Sequence, residues 1–194
     1  QGHPYQCKIF AMGSYPMGVA TSHSDIDLVV VIPYSCPPQA TLATLQPFLD
    51  HIPAFSNSVH ILAAVAPHLR LTFTGSKGAE DSTDIELQLV RWCEDFLPTT
   101  VADIAVEHLM FAQDENTVRA LAALRLCNTF PSLVPSTSMD AFQSLARTVK
   151  LWAARRQIDC NAVGFFGGLA WVLLALKTIQ LYQDLSPSQT LLRF

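Results

Sequence analysis

The sequence predicts an α/β (α+β) first half followed by an all-helical second half, and three observations carry that division. Apolar runs at Cys7–Met12 and Asp25–Ile32 are punctuated by glycine and proline, as short strands are. Asp84-Ile85-Glu86-Leu87-Gln88-Leu89-Val90 alternates with a period of two, setting Ile85, Leu87 and Leu89 on one strand face and Asp84, Glu86 and Gln88 on the other. Far down the chain, Phe142, Leu145, Val149 and Trp152 recur at helical spacing instead.

Taken in order, Cys7–Met12 reads as a strand ending in the Gly13-Ser14 turn, and Asp25–Ile32 as a buried strand stopped by Pro33, Pro37 and Pro38. Residues 39–51 read as a helix. Ile61–Ala66 is a further apolar run, Leu69–Thr74 alternates as a half-buried strand, and Gly75–Gly78 turns the chain into the alternating strand at 84–90. From Pro98 to Asn116 a connection with a short helix is expected, then a helix over Thr117–Cys127 and a break at the Pro- and Ser-rich segment Pro131–Ser138. Helices over about 140–157 and 167–182 follow, and Ser186-Pro187-Ser188 starts another.

Composition narrows the classes. The chain has 194 residues, half of them apolar, enough for one large domain or two small ones. The longest apolar stretch, Ala162–Leu176, is shorter than the 18 or more residues of a membrane span and contains three glycines, so a soluble protein without a membrane role is expected. Five scattered cysteines with no Cys-x-x-Cys pair argue against a disulfide framework or a zinc site. A net charge of −4 argues against a broad nucleic-acid surface, leaving RNA contact to local groups such as Lys150, Arg155 and Arg156. No secretion or lipidation signal is present, and a chain that starts at Gln1 and stops at Phe194 is expected to be a piece of a longer one.

The chemistry concentrates in one string. Gly13-Ser14 is followed after a ten-residue spacer by Asp25-Ile26-Asp27 and an apolar run. On a strand, Asp25 and Asp27 project from one face, where hard carboxylate oxygens can share Mg²⁺. Two such ions about 3.5–4 Å apart can activate an attacking hydroxyl and neutralise a leaving pyrophosphate. Gly13 and Gly18 allow tight turns, and a Gly-Ser pair opening a helix would offer N–H groups and a hydroxyl to a triphosphate. Asp-x-Asp alone is common ahead of strands and would not carry this reading.

The fuller string Phe10–Val19 with Thr21-Ser22-His23-Ser24-Asp25-Ile26-Asp27 resembles the signature of the DNA polymerase β-like nucleotidyltransferases, and within them the eukaryotic nuclear poly(A) polymerases. A second block, Val149–Arg156 followed by Asn161–Trp171 with its Gly-Phe-x-Gly-Gly-x-x-Trp run, resembles the central domain of the same enzymes. The likeness continues through Gln180-Leu181-Tyr182 and Ser186–Leu192, with both blocks in the family's order. It implies a nucleotidyltransferase domain with a mixed β-sheet over 1–97 and an all-α central domain over 98–194. It further implies template-independent transfer of AMP from ATP to an RNA 3′ hydroxyl, two Mg²⁺ or Mn²⁺ ions, a nuclear location and 3′-end processing factors as partners of the full-length protein. By position, Met12, Gly13, Ser14 and Thr21 would border the triphosphate, Asp25 and Asp27 ligate metal, Lys150 meet phosphates, Asn161 face the adenine, and Gly168 and Leu169 pack against the nucleotide. Closure of the helical half over the strand-rich half would complete the pocket.

The sequence departs from the family at three places. Glu86 stands where the third carboxylate, ligand and general base, is an aspartate, with Asp84 on the same face as the alternative. Asp159 replaces a tyrosine that contacts the nucleotide, and Ala122-Ala123 replaces Asn-Gly ahead of the retained Arg125. These departures keep two other readings open, a weak or inactive paralogue that binds nucleotide or RNA, and a nucleotidyltransferase that prefers another base.

Overall fold

The computed structural model describes residues 7–22, 24–61, 68–75, 82–93, 97–112 and 114–194, with backbone only at 57–61 and 111. Its five strands are β1 (Lys8–Met12), β2 (Ile26–Pro33), β3 (Phe55–Ile61), β4 (His68–Thr74) and β5 (Ser82–Trp92). The helices are α1 (Pro38–Asp50), α2 (Val106–Phe111), α3 (Glu115–Leu133), α4 (Met139–Arg155), α5 (Gly168–Leu181) and α6 (Pro187–Arg193).

The strands form one mixed sheet in the order β1-β2-β5-β4-β3. β2 and β5 run parallel while every other pair is antiparallel. A parallel pair needs a crossover, and here α1, β3 and β4 supply the chain between its members. The period of two along β2 then sorts its side chains onto two cores. Val29 and Val31 join Val90, Trp92, Ile104, Ala120, Leu121 and Leu124 on one side, and Val30 and Ile32 join Leu42, Leu69, Leu71, Leu87 and Leu89 on the other. β2 is therefore buried on both faces, which is why it reads as a continuous apolar run.

The chain divides into two compact units, one of residues Gln1–Met12 with Ser24–Asn128 and the other of Gly13–His23 with Thr129–Phe194. This moves the boundary expected at 97/98, because Ile104 and the α3 residues Ala120, Leu121 and Leu124 pack in the same core as β2 and β5. The helix expected to end at Cys127 instead runs to Leu133 with Pro131 in its last turn. There a missing N–H removes only one closing hydrogen bond. β3 occupies mostly residues before the apolar run at 61–66. Residues 62–67 and 76–78, where that run and the Gly75–Gly78 turn were expected to extend, lie outside the described residues.

In the second unit α4 buries Phe142, Leu145, Ala146, Val149 and Ala153. Trp152, counted in the stripe from the sequence, is 47% exposed. The inward face turns through Ala153 instead, and Trp152 meets Trp171 edge-on with ring centroids 6.0 Å apart. α4 ends in a Schellman arrangement, Ile158 N–H donating to Ala153 O at 3.1 Å and Gln157 N–H to Ala154 O at 3.0 Å. Gln157 accordingly holds φ of 59°, the left-handed region. Gln157→Gly should therefore stabilise this unit by about 1 kcal/mol, the approximate cost of a side chain in that conformation, read as a rise in the urea midpoint. At the far end, Ser186 and Gln189 form the capping box that opens α6. Among the described residues no helix is long and apolar enough to cross a membrane.

Candidate functional site

Asp25, Asp27 and Glu86 come together. Each offers a carboxylate oxygen, and the three atoms lie within 4.8 Å of one another. The register explains it: Asp27 sits beside Glu86 across the parallel β2–β5 pair and beside Met12 across β1–β2. The three acids occupy the same face as Val29, Val31, Val90 and Trp92, so a face that is apolar where helices cover it becomes acidic at one end. Asp25 is exposed and the other two are half-buried. Three hard oxygen donors this close suit a Mg²⁺- or Mn²⁺-sized ion, while the absence of sulfur or imidazole from the trio disfavours softer metals.

Asp84, the alternative third acid, is not in this cluster. Its Oδ1 accepts a hydrogen bond from Thr72 Oγ1 at 2.9 Å, directly across β4–β5. Glu86 has cross-strand company of its own. Arg70 Nε donates to Glu86 Oε1 at 2.9 Å and a second guanidinium nitrogen reaches the same oxygen. His68 Nε2 lies 3.9 Å from the other oxygen, Oε2. The hydrogen bond to Glu86, then the charges of Glu86, Asp84 and Asp25, push the Arg70 guanidinium above its already high pKa, so it stays charged.

The remaining expected nucleotide residues, Met12 apart, belong to the second unit. Gly13 does not open a helix: residues 13–18 form turns, closed by Gly18 N–H to Tyr15 O and Val19 N–H to Ser14 O, both 3.0 Å. Gly13 and Gly18 hold φ of 72° and 70°, and a Cβ on Gly18 would collide with the Gln143 side chain. Three α4 side chains thus fix this turn. Gln143 abuts it, Arg147 donates to Gly18 O at 2.5 Å, and Lys150 Nζ donates to Val19 O at 3.3 Å. Lys150 is therefore tied, half-buried, to the segment that carries Gly13, Ser14 and Thr21.

Asn161 is exposed in a single turn of 3₁₀-helix between α4 and α5, and a Cβ on the neighbouring Gly167 would fall 3.5 Å from Asn161 Cβ, an ordinary contact that does not itself require glycine. Gly168 differs. A Cβ at Gly168 would meet nothing within 4 Å, so no neighbouring group among the described residues requires a glycine there. Leu169 is 47% exposed beside it. Trp171 anchors the segment through its indole N–H to Phe166 O at 3.1 Å. Of the departures, Asp159 and Ala122 are exposed, and the retained Arg125 donates to the Ile104 carbonyl.

Sequence reasoning missed Arg70, His68, Gln143 and Arg147. The alternating strand expected at Leu69–Thr74 includes Arg70 but stops short of His68, and the strand that Arg70 faces is fixed only by sheet order. The α4 residues carry helical spacing with Lys150 and no other signal.

The fold is that of the nucleotidyltransferases. It is shared with GLD-2 in the GLD-2/RNP-8 complex, at a TM-score of 0.58 and 19% identity over 92% of this chain and 44% of that one. It is shared equally with the Cid1 poly(U) polymerase solved with MgGTP bound, at 0.55 and 21% over 91% and 43%. Residues 141–194 match the family described as the poly(A) polymerase central domain. Along its whole length the chain is 30% identical to the poly(A) polymerase of Dictyostelium discoideum and spans 24% of it. With the poly(A) polymerase pla1 of Schizosaccharomyces pombe it shares 29% over 96% of its own length and 31% of that protein. Across its length it is thus similar to the eukaryotic poly(A) polymerase-type nucleotidyltransferases, and it spans about a quarter to a third of the length of these curated relatives.

Proposed function

We propose that this chain carries the catalytic acids and the nucleotide-gripping part of an enzyme that adds AMP from ATP to an RNA 3′ hydroxyl, releasing pyrophosphate. The convergence of Asp25, Asp27 and Glu86 supports this most directly. Two divalent ions held by them, Mg²⁺ or Mn²⁺, would supply charge neutralisation at the triphosphate and a more acidic attacking hydroxyl. Glu86 accepts the proton of the 3′ hydroxyl or orients it. Met12, Gly13, Ser14 and Thr21 border the triphosphate, and Lys150, a compact mobile charge, meets the phosphates as negative charge grows on the leaving group. Asn161 reads the adenine edge. Gly168 gives the nucleotide close access to the backbone, a role the open space around its Cα favours over helix packing. A nuclear location and 3′-end processing factors as partners of the full protein belong to the same reading.

The test is extension of a labelled oligo(A) primer with Mg²⁺ or Mn²⁺ and each of ATP, UTP, CTP and GTP. Incorporation of ATP in preference to the other three is expected. Preference for UTP would move the chain to another base, and extension by none would leave the reading of a binding paralogue, which Asp159 and Ala122-Ala123 favour.

A further inference from the structure

Glu86 already has a cationic partner. Arg70 sits directly across the β4–β5 pair from it, and the guanidinium fork closes on Oε1 through two nitrogens, while the imidazole of His68 faces Oε2. Glu86 is one methylene longer than aspartate, which lets its carboxylate reach across the strand spacing to Arg70 as well as toward Asp25 and Asp27. Both guanidinium nitrogens draw on Oε1, and a divalent ion would draw on the same carboxylate charge. They also repel each other, and the Arg70 side chain, 49% exposed, is long enough to swing into solvent when displaced.

Resting on the two-metal reading, we infer that Arg70 is a positioning residue that competes with divalent cations for Glu86. The guanidinium satisfies the third carboxylate before metal arrives, and full occupancy of the site requires its withdrawal. Asp25 and Asp27 are left as the first landing point for an ion, and the site fills at higher metal concentration than its carboxylates alone would need.

The experiment is titration of the whole chain with Mn²⁺ alone, free ion being measured by electron paramagnetic resonance, for the wild type, Arg70→Gln, Arg70→Lys and Asp27→Asn. Removing a unit charge next to a divalent ion should tighten Mn²⁺ binding by about tenfold in Arg70→Gln. Arg70→Lys, which keeps the charge and any fold that depends on it, should remain within about threefold of wild type by the same Coulomb argument. Unchanged or weaker binding by Arg70→Gln, with Asp27→Asn still weakening it, would overturn the competition alone and make Arg70 a support for Glu86. Failure of the wild type and Arg70→Gln alike to bind Mn²⁺ would overturn the competition together with the metal site beneath it.

Discussion

Asp27→Ala should abolish primer extension, with a loss of about a thousandfold or more, on the scale of removing a group that stabilises transition-state charge. Asp27 is the middle acid of the cluster: β2 lies between β1 and β5, and Asp27 is the residue whose register neighbours are Met12 on one side and Glu86 on the other. Removing it leaves Asp25 and Glu86 alone, two carboxylates where the site has three. The fold should survive, because Asp27 belongs to neither sheet core and the apolar residues that hold β2, Val29 to Ile32, are untouched. The check is gel-resolved extension of oligo(A) with ATP and Mg²⁺, alongside a melting curve close to that of the parent. Activity retained within about tenfold in a well-folded variant would remove Asp27 from the machinery.

Phe142→Ala should be the largest single loss of stability discussed here, about 3–5 kcal/mol, typical of a fully buried phenylalanine cut to alanine. Phe142 is 0% exposed and packs at 5.4 Å between centroids against Phe130, itself 1% exposed, so the cavity would open between α4 and α3 beside the Phe130 ring. Trp152→Ala, on the same helix but 47% exposed, should cost far less. Urea unfolding followed by far-ultraviolet circular dichroism reads both, with the transition assigned to the second unit since a chain of two compact units need not unfold in one step. Equal losses for the two variants would show that the inward face of α4 is not the one described.

That contrast marks how far a sequence carries. The stripe Phe142, Leu145 and Val149 was legible because its spacing follows the helix period, but Trp152 fits that period as well, and the helix turns the small Ala153 inward in its place. The strands bearing the acids were legible for the same reason: β2 is apolar on both faces and β5 alternates. Asp25 and Asp27 needed no further information to share a face, and the likeness to poly(A) polymerases pointed to Glu86. β3 was not legible, since Phe55-Ser56-Asn57-Ser58 carries no strand pattern and owes its place to pairing with β4. Nor was the assignment of Gly13–His23 to the helical unit, which rests on contacts from Gln143, Arg147 and Lys150 more than a hundred residues away. Arg70 lay hidden for a related reason. A basic residue on an alternating strand reads as a solvated face until the sheet order puts an acid across from it.

In this reading three carboxylates, two at the start of β2 and one on the parallel β5, hold divalent ions for nucleotidyl transfer. Its most direct measurement is anomalous diffraction from crystals grown with Mn²⁺ and a non-hydrolysable ATP analogue. Two anomalous peaks about 3.5–4 Å apart are expected, both touching Asp25 and Asp27 and one also touching Glu86. Ordered analogue with no peak within coordination distance of any of the three acids would contradict it.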